Sequence, residues 1–114
     1  MKAFLSCCLV AAGAAGGAAA ACENPPMVAV PDGKTATMDQ LLQAQADVKT
    51  YMASMEAYLA CLNEELTSAG EDAPAEFKSL MVTRHNTAVS EMEAVAQAFN
   101  EQVRAYREAN PSSN

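Results

Sequence analysis

Residues 37–70 read TMDQLLQAQADVKTYMASMEAYLACLNEELTSAG, and their spacing decides the fold. Thr37 with Gln40 three positions later is a capping box, in which each side chain accepts a hydrogen bond from the other residue's backbone N–H. Asp39 adds an anion to the first turn, where the helix dipole favours one. Apolar residues then recur at Met38, Leu41, Val48, Met52, Met55, Leu59, Leu62 and Leu66. With Gln45 in the one polar slot, the intervals alternate three and four, which is the seam of a coiled coil. Tyr51 and Tyr58, seven apart, sit beside that seam and widen the buried face. Gly70 stands where helices are commonly stopped by a residue of positive φ.

Working toward the C-terminus, a second helix begins near Pro74, with Glu71, Asp72 and Glu76 crowded at its positive end. Its stripe runs Phe77, Met81, Arg84, Ala88, Met92, Val95, Phe99, Val103, Tyr106, with a mean spacing near 3.6. Asn110 precedes Pro111 and is therefore pushed out of the α region, so the helix should end there, leaving 110–114 as a disordered tail. The two helices, about 37–69 and 74–109, are each about 50 Å long at 1.5 Å per residue. The short link between them makes them antiparallel neighbours. The expected fold is all-α, a long coiled-coil-like two-helix hairpin over 37–109.

Working toward the N-terminus, residues 22–36 form an extended arm. Pro25-Pro26 favours polyproline II and Pro31-Asp32-Gly33 is a turn signature. Met27, Val28 and Val30 give the arm an apolar side, so it should lie on helix 1. Residues 1–21 read as a secretory signal peptide: Lys2 is the positive n-region, Phe4 to Ala12 a short apolar core, and Ala18 to Ala21 offer several A-x-A cleavage frames. The Leu/Val/Phe core is too short for a retained membrane span, which needs about 20 strongly apolar residues. Removal of 1–21 would take Cys7 and Cys8 with it and leave Cys22 and Cys61. Two cysteines in an exported chain read as one disulfide. An arm of 15 residues can span about 50 Å, enough to run back along helix 1 and reach Cys61. The competing fate of Cys22 is lipidation, because Ala19-Ala20-Ala21-Cys22 has the small residues of a lipobox, though without its usual leucine.

Composition narrows the function. The 114 residues carry seven Lys+Arg against fourteen Asp+Glu, a net charge of −7, which argues against nucleic acid and anionic membrane surfaces as partners. Trp is absent and aromatics are 5%, so no stacking platform for bases or sugars is evident. No nucleophile motif, phosphate-binding glycine loop, calcium loop or metal-spaced Cys/His cluster occurs, so neither a catalytic set nor a metal or cofactor site is expected. His85 is the lone histidine, in Arg84-His85-Asn86. Pairing of the hairpin about residues 71–72 would set it opposite Tyr58, and Tyr58, Arg84, His85 and Asn86 are then the candidate ligand or metal-binding group. The plainer interpretation is a boundary histidine satisfied by a neighbour. Met52, Met55, Met81 and Met92 invite comparison with haem or copper ligands, but methionine is also the ordinary filler of helix interfaces.

Cys22 with its proline-rich arm, Pro31-Asp32-Gly33, Tyr58-Leu59-Ala60-Cys61-Leu62 and Arg84-His85-Asn86 together resemble small exported all-helical proteins of unknown function in Gram-negative bacteria. That resemblance implies export and an all-helical fold, and no activity. The expectation is therefore a non-enzymatic periplasmic or secreted envelope protein. Its two amphipathic stripes exceed what one hairpin can hide, so it would act by association, as a homo-oligomer or with another envelope protein.

Overall fold

The computed structural model describes residues 22–113; the segment read as a signal peptide, 1–21, lies outside the described residues. Two long helices, α1 (Met38–Ala69) and α2 (Ala75–Ala109), pack against each other as a hairpin, followed by a single 3-10 turn at Pro111–Ser113 where the sequence suggests only a loose tail. The capping box forms in full: the Gln40 N–H donates to Thr37 Oγ1 at 3.1 Å and the Thr37 N–H to Gln40 Oε1 at 2.9 Å. Gly70 ends α1 at φ 76° and ψ −178°, a conformation open in practice only to glycine. Pro74 caps α2 without a side-chain bond, and Lys78 Nζ reaches back to the Glu71 carbonyl oxygen at 2.6 Å to close the link. At the far end the Asn110 side chain donates to the Tyr106 carbonyl at 2.9 Å, ending α2 one residue before Pro111.

The core lies between the helices: Tyr51, Met55, Tyr58 and Leu62 from α1 meet Met81, Ala88 and Val95 from α2, with Met55 wholly enclosed. Toward the open end Leu41, Ala44 and Tyr106 are also buried. This corrects the seam read from the sequence. The buried α1 row is 41, 44, 51, 55, 58, 62, so Ala44, Tyr51 and Tyr58 take the places expected for Gln45, Met52 and Leu59. Gln45 is exposed, while Met52 and Leu59 are half-buried. A row through Ala44 contains no polar residue and a row through Gln45 does, and the two tyrosines bury more area than the residues they displace. On α2 the row 81, 88, 95 is a strict heptad, and Arg84, placed on the stripe by spacing alone, is exposed.

The arm forms no regular secondary structure until a turn at 33–35. There the Asp32 carbonyl accepts from the Thr35 and Ala36 N–H groups, and Asp32 Oδ1 accepts from the Lys34 N–H at 3.0 Å. The arm is tied to α1 by the Cys22–Cys61 disulfide, with Cα atoms 5.7 Å apart and a sequence separation of 39. It is not confined to α1, as the sequence suggests. Gly33 is buried against α2 and donates its N–H to Gln102 Oε1 at 2.8 Å, and Asn24 Nδ2 donates to Glu91 Oε2 at 3.4 Å. The arm therefore lies in the groove between the helices, touching both.

Candidate association face

The helical period divides the hairpin into two flanks, and the arm covers one of them. On α1 the arm lies along Gln40, Gln43, Ala44, Asp47, Thr50, Tyr51 and Ser54, positions three or four apart on one side of the cylinder, and it reaches Cys61 farther on. On α2 it meets Glu91 and Gln102. Val28 and Cys22 pack against the core from this side.

Under the arm sits a titratable group, Tyr51, whose proton affinity departs from its ordinary value. The Tyr51 hydroxyl holds its proton above the usual 10.0, first because burial disfavours the phenolate and second because the Glu91 carboxylate repels it. That hydroxyl donates to Met27 Sδ at 3.7 Å. Asn24, Met27, Tyr51 and Glu91 thus form a small polar contact that pins the arm across both helices.

Among the described residues the opposite flank has no such cover. At the open end, Met38, Leu41, Leu42 and Gln45 of α1 and Phe99, Asn100, Val103, Tyr106 and Arg107 of α2 line a groove of about 690 Å³. Nearer the link, Leu62, Asn63 and Leu66 with Met81, Val82 and His85 line a hollow of about 130 Å³. Both lie on the same side, because 38, 45, 52, 59 and 66 on α1 are successive heptad steps. Half-buried Met52, Leu59 and Met92 fill the interval between them. Leu42 is 54% exposed, Val82 51% and Met38 46%. These three make the flank a candidate interaction surface; Met27 on the arm (60%) and Leu80 of α2 (45%) are exposed away from it.

The candidate ligand group does not converge on this face. Tyr58 is buried in the core, whereas Arg84, His85 and Asn86 are exposed. His85 lines the small hollow with Leu62 and Leu66, and Tyr58, Arg84 and Asn86 do not. At about 130 Å³ that hollow falls below the roughly 300–1,000 Å³ of small-molecule sites. Among the described residues the one cluster with metal-ligand types is Cys22, Cys61 and Glu65. Its two sulfurs are bonded to each other, so the thiolates that a metal would need are not available while the disulfide stands.

Leu42 and Val82 carry the face and neither is on a stripe that the sequence singles out. The signal for them is faint but present: each is a large aliphatic residue one position off the periodic row, on the side away from the arm. No helix among the described residues is long and apolar enough to cross a membrane. No protein-family model, no curated protein and no solved structure matches the chain.

Proposed function

We propose that this chain is a non-enzymatic exported protein, resident in the periplasm or outside the cell, that acts by helix-mediated association through the flank its arm leaves open. The observation that carries this reading is the one-sided cover. The arm, its disulfide and its polar contacts all serve one flank, while Met38, Leu42 and Val82 on the other remain about half exposed. A chain with so little interior gains by burying such a face against a partner, since apolar area removed from water contributes about 25 cal/mol per Å². The disulfide supports an oxidising compartment. Use of the Cys22 sulfur in that bond supports the disulfide over lipidation as the fate of the residue.

A photo-crosslinking side chain placed at Leu42 or Val82 in the exporting cell tests the reading. Protein adducts should form from these two positions and not from Ala46 or Gln97, which are exposed on the outer surfaces of the helices. Equal yields from all four positions would remove the face from consideration. A small amphiphile recovered with the purified protein, and displaced by Leu42→Asp, would instead favour a ligand groove at the open end.

A further inference from the structure

We infer that the occupant of the open face is a second copy of the same chain, laid across it about a two-fold axis that passes beside Met52 and Met92. The inference rests on the association reading and names the partner. Area comes first. α1 is 32 residues, about 48 Å long, and two helices side by side are about 20 Å wide. One face is then about 1,000 Å² and a face-to-face pair about 2,000 Å² in total, at the upper end of a standard stable interface.

Charge and register then select a second copy. Lys49 and Glu56 are exposed on the open flank of α1, seven residues apart and therefore on one row, with Met52 between them. Their spacing puts neither within three or four residues of an opposite charge on its own helix. When α1 lies antiparallel over the partner's α1 with Met52 at the centre, each Lys49 meets the other chain's Glu56, and two identical ion pairs form. A two-fold axis requires that self-complementarity.

The same axis must satisfy α2. Leu42 and Gln45 are level with Phe99 to Val103, and Leu62 to Leu66 with Met81 to His85, so Met52 is level with Met92. Reflecting α2 about that level sets Val82 against Val103 and Val89 against Ala96, apolar against apolar. His85 then meets Asn100, a hydrogen-bonding pair. Methionines at the point of self-contact suit it, because an unbranched thioether repacks against its own copy with little strain. The result is a four-helix bundle with both arms outermost.

A charge-swap cycle on the full, oxidised chain tests this, with mass followed by sedimentation equilibrium over a concentration series. The wild-type chain should be dimeric. Lys49→Glu and Glu56→Lys should each weaken the dimer by about 10–30-fold, since either change turns two attractions into two repulsions. The double variant should return to within about threefold of wild type. A wild-type monomer, a higher oligomer, or a double variant as weak as the singles would overturn the two-fold pairing. Leu42→Asp separates the two levels of failure. A dimer indifferent to Leu42→Asp would mean that the open face itself is not used. A wild-type monomer whose Leu42 still crosslinks to a different protein in the cell would leave the face standing and remove only the second copy.

Discussion

Replacing Gly33 by alanine tests whether the arm is docked on both helices. Gly33 is buried, and its N–H donates to Gln102 Oε1 at 2.8 Å. A Cβ built there would overlap the main-chain carbonyl oxygen of Gln102 and stand 3.0 Å from the Tyr106 nitrogen. These are backbone atoms inside α2, so no rotamer change relieves the overlap, and the arm has to retreat as a body. Overpacking of this kind costs about 1–3 kcal/mol, and loss of the hydrogen bond adds about 1 kcal/mol. Gly33→Ala should therefore lower the unfolding free energy by about 2–4 kcal/mol, measured by urea denaturation with the disulfide intact. Since the disulfide holds Cys22 in place, the loss should appear as a lower midpoint while circular dichroism still reports two helices. Gly70→Ala is the comparison: a Cβ there meets nothing within 4 Å, and the cost, about 1–3 kcal/mol, comes from the φ of 76° alone. A Gly33→Ala protein within about 0.5 kcal/mol of wild type would refute the close approach to α2. The arm would then have to be placed on α1 only.

Three further outcomes follow from the same geometry. Cys22→Ser should cost about 4 kcal/mol in the chain-entropy model, because the bond closes a loop across 39 residues; intact mass with and without reductant verifies the bond, and urea denaturation gives the cost. Met55→Ala should cost about 2–5 kcal/mol and Leu59→Ala distinctly less, since Met55 is wholly enclosed and Leu59 half-buried; comparable losses in thermal unfolding would mean the seam read from the sequence is the true one. Tyr51 should ionise above its ordinary value in the folded chain, with burial the larger cause and Glu91 the smaller, so the unfolded chain loses that proton first. Its contribution to stability is accordingly complete below pH 10.0 and declines as the pH rises through the folded value; a tyrosinate absorbance titration of Glu91→Gln should bring the ionisation partway back down.

The parts of the fold carried by local chemistry are legible in the sequence. Thr37 and Gln40 identify the start of α1 because the capping box needs only those two residue types at that spacing. Gly70 and the Asn110-Pro111 pair identify ends because φ is restricted there whatever packs nearby. The Cys22–Cys61 bond is legible from the expected export of the chain and from reach together, and the position of Cys61 just off the apolar row already points it at the arm rather than at α2. The function of Gly33 is not legible. Pro31-Asp32-Gly33 reads as a turn, and the turn forms, but the glycine is required by a helix some 70 residues later in the chain. Glu91 fails for the same reason: on its own helix it reads as a solvated carboxylate, and only the packing of α2 on α1 sets it near Tyr51, with Asn24 of the arm donating to it.

The α1 seam shows how a strong periodic signal can be correct in period and displaced in phase. Two interleaved heptad rows share Leu41, Val48, Met55 and Leu62; one adds Gln45, Met52 and Leu59, the other Ala44, Tyr51 and Tyr58. Spacing cannot choose between them, because both alternate three and four. Burial chooses the second, for it carries no polar residue and its tyrosines can be closed over by the arm. The first row does not thereby become surface of the ordinary kind. Met52, Leu59 and Leu66 remain half-buried, and Met38 and Leu42 stand out at its end. A helix with an apolar arc this wide has more to bury than one neighbouring helix and one arm can reach. The second seam is thus spent on the fold, while Met52, Leu59 and Leu66, which belong to the first alone, pack against the core on one side and stay partly open on the other, beside Met38 and Leu42.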